Sequence, residues 1–156
     1  MVFGVICEQG PICLVTVPLK SKINQDSYQT MFKEHVLPRI RQWEAQPGAQ
    51  KVLWQQDGAS SHRAETTMDM FGREKVLLLQ NWPPKSPDLN LIENIWGLMK
   101  KDISKQPPPS NVAELDKRVH NSWHKVCKSQ TCMNLYASVS KRLKLCVNNE
   151  GARIKY

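Results

Sequence analysis

The chain has 156 residues, of which 40% are hydrophobic and 23% are charged, a composition typical of a globular domain with a buried core. The excess of 22 Lys and Arg over 14 Asp and Glu gives a net charge of +8, which favours a polyanionic partner such as nucleic acid. Because no apolar run is long enough to cross a membrane and no signal peptide is recognisable, we expect a soluble chain without a membrane partner.

The cysteines indicate a reduced, intracellular protein rather than a disulfide framework. They are odd in number and show no CxxC spacing. His120, His124, Cys127 and Cys132 match no standard zinc pattern, and we interpret them as part of a helix face. Cys7 and Cys13 fall within apolar, strand-like runs and fit small core residues.

The first part of the chain predicts a hairpin and a helix. Two apolar runs, Met1–Cys7 and Ile12–Val17, flank a turn that contains Gly and Pro. Asp26 lies three residues before Gln29, which predicts a capping box at a helix start, and Pro38 predicts a kink. The apolar face of this helix is Tyr28, Met31, Phe32, Val36, Ile40 and Trp43.

Two short strands with a helix between them follow. Lys51–Gln56 predicts a strand that ends at Asp57, and Lys75–Leu79 predicts a strand buried on both faces. The intervening helix is predicted to begin at Ala59 and to end at Gly72. Its predicted core positions are Ala64, Thr67, Met68 and Phe71.

Helices fill the rest of the chain. Asn90 predicts a helix cap with Glu93 at the third position, and a second helix starts at Ser110 or Asn111 after a proline run. A last helix is predicted from about Thr131 to Asn148, before a basic tail, Gly151–Tyr156. The predicted apolar stripes are Ile92, Ile95, Trp96, Met99 and Ile103, then Val112, Leu115, Val119, Trp123 and Val126, then Met133, Leu135, Tyr136, Val139 and Leu143. The element order predicts an α/β fold with a helical C-terminal end.

Two carboxylates stand where regular elements meet turns. Asp57 follows a predicted strand and Glu93 opens a predicted helix, with 35 residues between them. If the two strands are parallel, the crossover brings both acids to the same edge of the sheet. Paired carboxylates of this kind can hold Mg²⁺ or Mn²⁺ for chemistry at a phosphodiester, although two acids rarely complete such a site.

Two linked motifs resemble the DDE catalytic domain of mariner-type (Tc/mariner superfamily) transposases. They are Gln56-Asp57 with Ala59 and His62, and then Trp82-Pro83, Ser86-Pro87-Asp88-Leu89-Asn90 and Ile92-Glu93-Asn94-Ile95-Trp96. The resemblance covers essentially all of residues 1–156. It implies a ribonuclease H-like fold of the retroviral integrase superfamily, a mixed sheet flanked by helices. Residues 1–104 would be the ribonuclease H-like part, and residues 110–156 the C-terminal helices and basic tail.

The resemblance also implies a function. Asp57 and Glu93 would be the second and third acids of a triad that holds Mg²⁺ or Mn²⁺, and His62 would lie near them. The reaction implied is strand cleavage at a transposon end, followed by attack of the freed 3′ hydroxyl on target DNA. The implied partners are transposon ends, target DNA and a second copy in a homodimer, in the nucleus and with no small-molecule substrate.

The chain departs from the family pattern at its beginning. The first acid of the family lies on a strand just before the hairpin, and that position precedes Met1. Asp26 is the only aspartate before Asp57, and its position suits a helix cap better than the role of this first acid. The fold would therefore lack its first, central strand, and neighbouring strands would lose their backbone partners. No helix-turn-helix region is recognisable, Gly58 replaces the usual Asn, and Leu91 replaces the usual Pro.

Simpler interpretations stand beside the catalytic one. Asp57 can be a turn residue, because Asp followed by Gly favours turns. Glu93 can be the third-position partner of the Asn90 helix cap. Asp88 is better explained as a turn residue than as the third acid of the triad. For the whole chain, the alternative is a catalytically inactive, transposase-derived module that binds DNA or protein. Side chains expected to pack or to face solvent rather than bind DNA are Trp82, Trp96 and Trp123, and Lys141, Arg142, Lys144, Arg153 and Lys155.

Overall fold

The computed structural model describes residues 1–18 and 21–155, so Tyr156 of the predicted basic tail lies outside the described residues. The strands are β1 (Val2–Cys7), β2 (Gly10–Thr16), β3 (Leu53–Trp54) and β4 (Leu77–Leu78). The helices are α1 (Gln25–Met31), α2 (Leu37–Glu44), α3 (Ser60–Arg63), α4 (Glu65–Arg73), α5 (Ile92–Ile103), α6 (Val112–Val126), α7 (Ser129–Ala137) and α8 (Val139–Asn148). Among the described residues, no helix is both long and apolar enough to cross a membrane.

The chain divides into two compact units. The hairpin unit combines Met1–Val17 with the chain from Ser86 onward, and the crossover unit is Pro18–Lys85. Each unit contains one two-stranded sheet, β1 with β2 and β3 with β4. The described residues contain no strand corresponding to the central one of the predicted mixed sheet.

The hairpin and α5 build the core of the hairpin unit. β1 pairs antiparallel with β2, from Val2 opposite Thr16 to Cys7 opposite Gly10, with an irregularity at Val5/Ile6. The predicted stripe of α5 is confirmed at Ile95 and Met99, which are buried. Trp96 packs on Trp123 of α6 with ring centroids 5.8 Å apart, so both tryptophans pack as predicted.

Two of the cysteines belong to this core. Cys127 and Cys132 are 2% and 0% exposed, with their Sγ atoms 3.8 Å apart. Burial raises the pKa of the Cys127 thiol to about 12, so the thiol is protonated at neutral pH. Cys127 directly follows α6 and Cys132 lies in α7. Because both are core residues, the interpretation of this region as a helix face of ordinary polar residues is wrong at the two cysteines.

The last predicted helix is wrong as a single element. It is broken at Ser138 into α7 and α8, and the Ser138 hydroxyl donates a hydrogen bond of 2.6 Å to the Leu135 carbonyl. Met133 and Leu143 are about half exposed, although the stripe predicted them to be buried. The side chain that α8 buries is Arg142, which is 1% exposed and therefore not on the solvated face we predicted.

The start of α1 corrects another prediction. Its cap is Asn24, whose side chain accepts a hydrogen bond of 2.9 Å from the Ser27 backbone N–H, while the Asn24 N–H donates to Ser27 Oγ at 3.0 Å. Asp26 lies inside the first turn, where a carboxylate favours the helix dipole, so its predicted capping box with Gln29 is wrong. The two boxes differ by only two residues, and the local sequence pattern does not separate them.

A change of helix type accommodates Pro38. A π-helical turn, Phe32–Val36, precedes α2, and Pro38 lies in the first turn of α2. Proline lacks an N–H and its ring clashes with the carbonyl four residues earlier, and the wider turn relieves both conflicts. The predicted apolar face is retained through this irregularity, with Phe32 and Val36 both 0% exposed.

The crossover from β3 to β4 confirms a parallel pair. Leu53 lies opposite Leu77 and Trp54 opposite Leu78. The prediction that β4 is buried on both faces is wrong, because Leu77 is 50% exposed. The single helix predicted between the strands is two, interrupted at Ala64.

The end of α4 also differs from the prediction. Gly72 lies within the helix, and the left-handed residue that follows it is Lys75, with φ of 51°. The core side chains of α4 are Thr67, Met70 and Phe71, whereas the predicted Met68 is 37% exposed. The glycine rule fails here because the chain makes its left-handed turn three residues later.

Candidate active site

Asp57 is held by its own turn. Its Oδ1 accepts a hydrogen bond of 3.0 Å from the Ala59 backbone N–H, two residues later. The same oxygen lies 2.7 Å from Nδ1 of His62 on α3. Both contacts fall on Oδ1, which leaves Oδ2 as the oxygen for a cation. Asp57 is therefore a turn residue, as the simpler interpretation predicted, and the same turn also fixes its carboxylate.

His62 is itself held from two sides. Its carbonyl accepts a hydrogen bond of 3.1 Å from Gln56 Nε2, and its ring lies over the Tyr28 ring with centroids 4.1 Å apart. Gln56 Oε1 in turn accepts from the Tyr28 hydroxyl at 2.6 Å and from Trp54 Nε1 at 3.2 Å. These contacts fix the histidine that contacts Asp57.

Gln56 and Tyr28 are supporting residues that the sequence did not single out. Gln56 stands next to Asp57 in the motif, which was a usable signal. Tyr28 is 28 positions away from Gln56 on α1, and only its place on an apolar face was visible. Its hydroxyl is buried, which raises its pKa and keeps it a neutral donor.

The electrostatics keep Asp57 ionised. The close contact with His62 Nδ1 lowers the pKa of the carboxyl group, partial burial opposes this, and the hydrogen bond from the Ala59 N–H lowers the pKa further. The Asp57 side chain retains 55% of its exposure, whereas that of His62 retains 17%. An ionised, accessible carboxylate with one oxygen held in place is suited to binding a cation.

Glu93 lies in the first turn of α5, with its N–H donating 3.1 Å to the Asn90 carbonyl. The helix begins at Ile92 and its first turn has no side-chain cap, so the predicted Asn90 cap is wrong, as is the simple interpretation of Glu93 as its partner. Glu93 lines an open cleft of about 690 Å³ within the hairpin unit. The other lining residues are Pro87, Asp88, Asn94, Arg142, Arg153, Ile154 and Lys155.

Asp88 is engaged in structure. Its Oδ2 accepts a hydrogen bond of 2.8 Å from the Ile154 N–H, and its carbonyl accepts one of 2.9 Å from Arg142 Nη1. The sequence assigned Asp88 to a turn rather than to a third acid. Asp88 has a structural role beyond the turn, because its contacts also fix the segment that follows α8.

Each of the two acids, taken in its own unit, carries a donor type that suits a hard divalent cation. Asp57 and Glu93 provide carboxylate oxygens, the ligands that Mg²⁺ and Mn²⁺ prefer. Asp57 belongs to the crossover unit and Glu93 to the hairpin unit. Within the part of the chain that is described, no three His, Cys, Asp or Glu side chains form a group that could hold a metal ion, the four His and Cys residues weighed for zinc included.

The sequence matches a known protein family over most of its length. Residues 1–116 match the profile of the DDE superfamily endonucleases, and the chain belongs to that family. The curated relatives place it among the Tc/mariner-type DDE transposases, which confirms the family named from the two motifs.

Curated relatives are nematode transposases. The chain is 30% identical over 157 aligned residues to the transposable element Tc3 transposase of Caenorhabditis elegans, across 100% of this chain and 45% of the relative. It is 26% identical to the Tc1 transposase of the same organism, across 88% of this chain and 48% of the relative. The chain therefore spans about half the length of the curated relatives that it matches.

Solved structures share the fold. The Mos1 transposase catalytic domain with raltegravir and Mg superposes with a TM-score of 0.81 at 19% identity, covering 95% of this chain and 73% of that chain. The crystal structure of the catalytic domain of the Mos1 mariner transposase gives 0.80 at 17% identity, covering 95% and 72%. The predicted ribonuclease H-like fold class is confirmed.

Proposed function

We propose that this chain is part of the catalytic domain of a DNA transposase that cleaves and joins DNA strands with the aid of Mg²⁺ or Mn²⁺. Family membership gives the reaction class, and the Asp57 carboxylate, fixed on one oxygen and ionised, is the observation that carries the proposal. Mos1 catalytic domain structures solved with Mg and with Mn support the choice of metal.

Three side chains have roles in this proposal. Asp57 and Glu93 provide the carboxylate oxygens that bind metal, and His62 positions Asp57 through its 2.7 Å contact. A divalent ion, when bound, would activate the attacking oxygen and stabilise the leaving one at the phosphodiester. In the first step, water attacks phosphorus and the bond to the 3′ oxygen breaks. In the second step, that 3′ hydroxyl attacks the phosphorus of a target phosphodiester. A new P–O bond forms, and the target's own bond from phosphorus to its 3′ oxygen breaks and releases a 3′ hydroxyl.

DNA is the proposed partner. The net charge of +8 suits a polyanion, and solved relatives include a pre-cleavage Mos1 transpososome and a Mos1 paired end complex. A transposon has two ends, so we extend the proposal to a homodimer. The curated relatives belong to nematodes, whose chromosomes lie in the nucleus, and we propose that location for this protein.

Metal binding tests the proposal without requiring turnover. Mn²⁺ binding is measured by electron paramagnetic resonance on the native chain and on Asp57→Asn and Glu93→Gln. Each substitution removes one carboxylate ligand, so we expect affinity to fall by about tenfold or more. Asp69→Asn and Glu8→Gln remove exposed carboxylates from the same two units and should leave affinity unchanged.

Strand cleavage is then measured on labelled DNA with Mg²⁺. Because two acids rarely complete a two-metal site, we expect cleavage when the chain is extended upstream by a strand that carries the first acid, with or without either control substitution. The extended chain with Asp57→Asn or Glu93→Gln should not cleave. Cleavage that survives both ligand substitutions would contradict the assignment of these acids. Metal binding without cleavage by a folded extended chain would favour the inactive DNA-binding module.

A further inference from the structure

The segment after α8 is anchored at one residue. Ile154 is 5% exposed, and its N–H donates a hydrogen bond of 2.8 Å to Asp88 Oδ2. Arg153 and Lys155 on either side of it are exposed. Ile154 is buried and its N–H is hydrogen-bonded, so the backbone on either side of it is anchored. This anchor fixes the positions from which the Arg153 and Lys155 side chains extend.

The anchor is itself fixed by a buried cation. Arg142 of α8 donates to the Asp88 carbonyl through Nη1 at 2.9 Å and to Ser138 Oγ through Nε at 2.9 Å. Its side chain is 1% exposed. The guanidinium thus joins α8 to the turn that carries Asp88, and the acceptor for Ile154 is held rigidly.

Both exposed cations line the same cleft as Glu93. The cleft contains three cationic side chains and two carboxylates, and one of these carboxylates, Asp88, already accepts the Ile154 N–H. Cations at the rim of an open cleft raise the local concentration of anions. Two cations separated by one residue suit consecutive phosphates of one strand, since a nucleic acid backbone repeats its charge regularly.

We propose that Arg153 and Lys155 form a clamp that binds backbone phosphates of the DNA strand lying in the Glu93 cleft. The inference rests on the proposed function in taking DNA as the ligand, and it adds the site at which the strand is held. The clamp positions the strand through phosphates and reads no base sequence.

Binding without metal tests the clamp. The probe is a short fluorescein-labelled DNA duplex of arbitrary sequence in EDTA, and the readout is anisotropy at several salt concentrations. For R153Q/K155Q we expect affinity to fall about tenfold and the slope of log K against log salt to drop by about 2, near 0.9 per lost phosphate contact. K141Q/K144Q removes two exposed lysines of α8 outside the cleft and should change both values much less.

A charge-conserving variant separates binding from folding. R153K/K155R should retain most of the affinity, because the clamp needs positive charge near phosphate. A loss as large as that of R153Q/K155Q would overturn the proposal, as would equal losses in the α8 control or no DNA binding by the native chain. Competition by a poly-glutamate peptide as strong as by DNA of equal charge would also overturn it, in favour of an acidic protein partner.

The two proposals fail separately. Because the assay contains no divalent ion, an affinity that depends on Arg153 and Lys155 supports the clamp even if Asp57 and Glu93 bind no metal. The opposite outcome is cleavage that requires both acids while DNA affinity is the same with and without Arg153 and Lys155. That outcome would support the proposed function and contradict the clamp.

Discussion

At the residue scale, the contact between Asp57 and His62 makes the candidate metal ligand dependent on its neighbour. The close contact with His62 is the largest cause of the lowered Asp57 pKa. We therefore expect His62→Ala to raise that pKa toward its ordinary value, as measured by NMR titration of the Asp57 carboxyl carbon. His120→Ala, which removes a histidine 3.9 Å from Asp116, is the control and should leave Asp57 unchanged. An unmoved Asp57 pKa in His62→Ala would contradict the role assigned to this contact.

The same shift sets how stability responds to pH. A carboxyl group with a lowered pKa in the folded state stabilises it above the ordinary pKa, and the contribution is lost as pH falls through the lowered value. His62→Ala should therefore be less stable than the native chain at neutral pH, with a difference that shrinks in acid. Urea unfolding of both proteins across that pH range measures the difference. A gap that widened in acid would mean that the contact raises the Asp57 pKa instead of lowering it.

Gly4 is fixed by a close approach rather than by its backbone angles. A Cβ at this position of β1 would lie 2.5 Å from Trp96 Cη2 and 3.3 Å from Trp123 Cζ3. We expect Gly4→Ala to lower the free energy of unfolding by about 1 to 3 kcal/mol, because the tryptophan pair must shift.

Gly97 provides the matched control for that substitution. It is exposed on α5, and among the described residues no atom outside its chain neighbours and its own stretch of helix backbone would lie within 4 Å of an added Cβ. Alanine is also a better helix former than glycine. Gly97→Ala should raise the free energy of unfolding by roughly 0.5 to 1 kcal/mol. Thermal unfolding of both variants gives the comparison, and two changes of the same sign would contradict the packing argument.

At the scale of the elements, the capping box assigns the start of α1 to a specific side chain. Asn24→Ala removes the acceptor of the Ser27 N–H, and we expect it to cost about 1 kcal/mol of stability. Asp26→Ala removes only a favourable charge near the helix N-terminus and should cost about 0.5 kcal/mol or less. Chemical denaturation measures both, and a larger loss in Asp26→Ala would restore the cap that the sequence suggested.

Element types followed from sequence where apolar residues recur with a clear period. The hairpin and the buried side of α5 were predictable, because each depends on local apolar runs or helical spacing. The positions at which helices break were not predictable, because the apolar pattern continues past both Ser138 and Ala64, where helices are interrupted. Caps failed for a related reason, as Asn24 and Asp26 both suit the position and only the folded turn distinguishes them.

At the scale of the whole molecule, Arg142 joins parts of the hairpin unit that are far apart in sequence. Its partner Asp88 is 54 positions away, and Asp88 in turn binds Ile154. Arg142→Met keeps an apolar stem but leaves the part-buried Asp88 carbonyl without this donor, so we expect a loss of about 2 to 4 kcal/mol.

Lys141→Met is the control for this substitution, because it changes the same charge on the exposed side of α8. It should alter stability by less than about 0.5 kcal/mol. Urea unfolding distinguishes the two outcomes. A loss of similar size in both variants would mean that α8 contributes through its charge and not through the Arg142 contacts.

The candidate site was predictable in its acids and not in their supports. Asp57 and Glu93 stand in motifs with a recognisable spacing, and His62 lies close enough in sequence to be selected with them. Tyr28 and Arg142 were hidden, because an aromatic residue on an apolar face and an arginine in a basic helix have common structural explanations. Only three-dimensional contacts distinguish a buried guanidinium that holds a turn from one that faces solvent.

The division of the hairpin unit between distant parts of the chain also has a consequence for synthesis on the ribosome. About 70 residues separate Val17 from Ser86, which corresponds to roughly 4 to 14 s of translation. During that interval β1 and β2 have no Trp96 or Trp123 to cover Gly4, whereas all residues of Pro18–Lys85 are synthesised by its end. The crossover unit can therefore fold first. Until α5 and α6 are synthesised, the apolar side of the nascent hairpin stays exposed and accessible to chaperones.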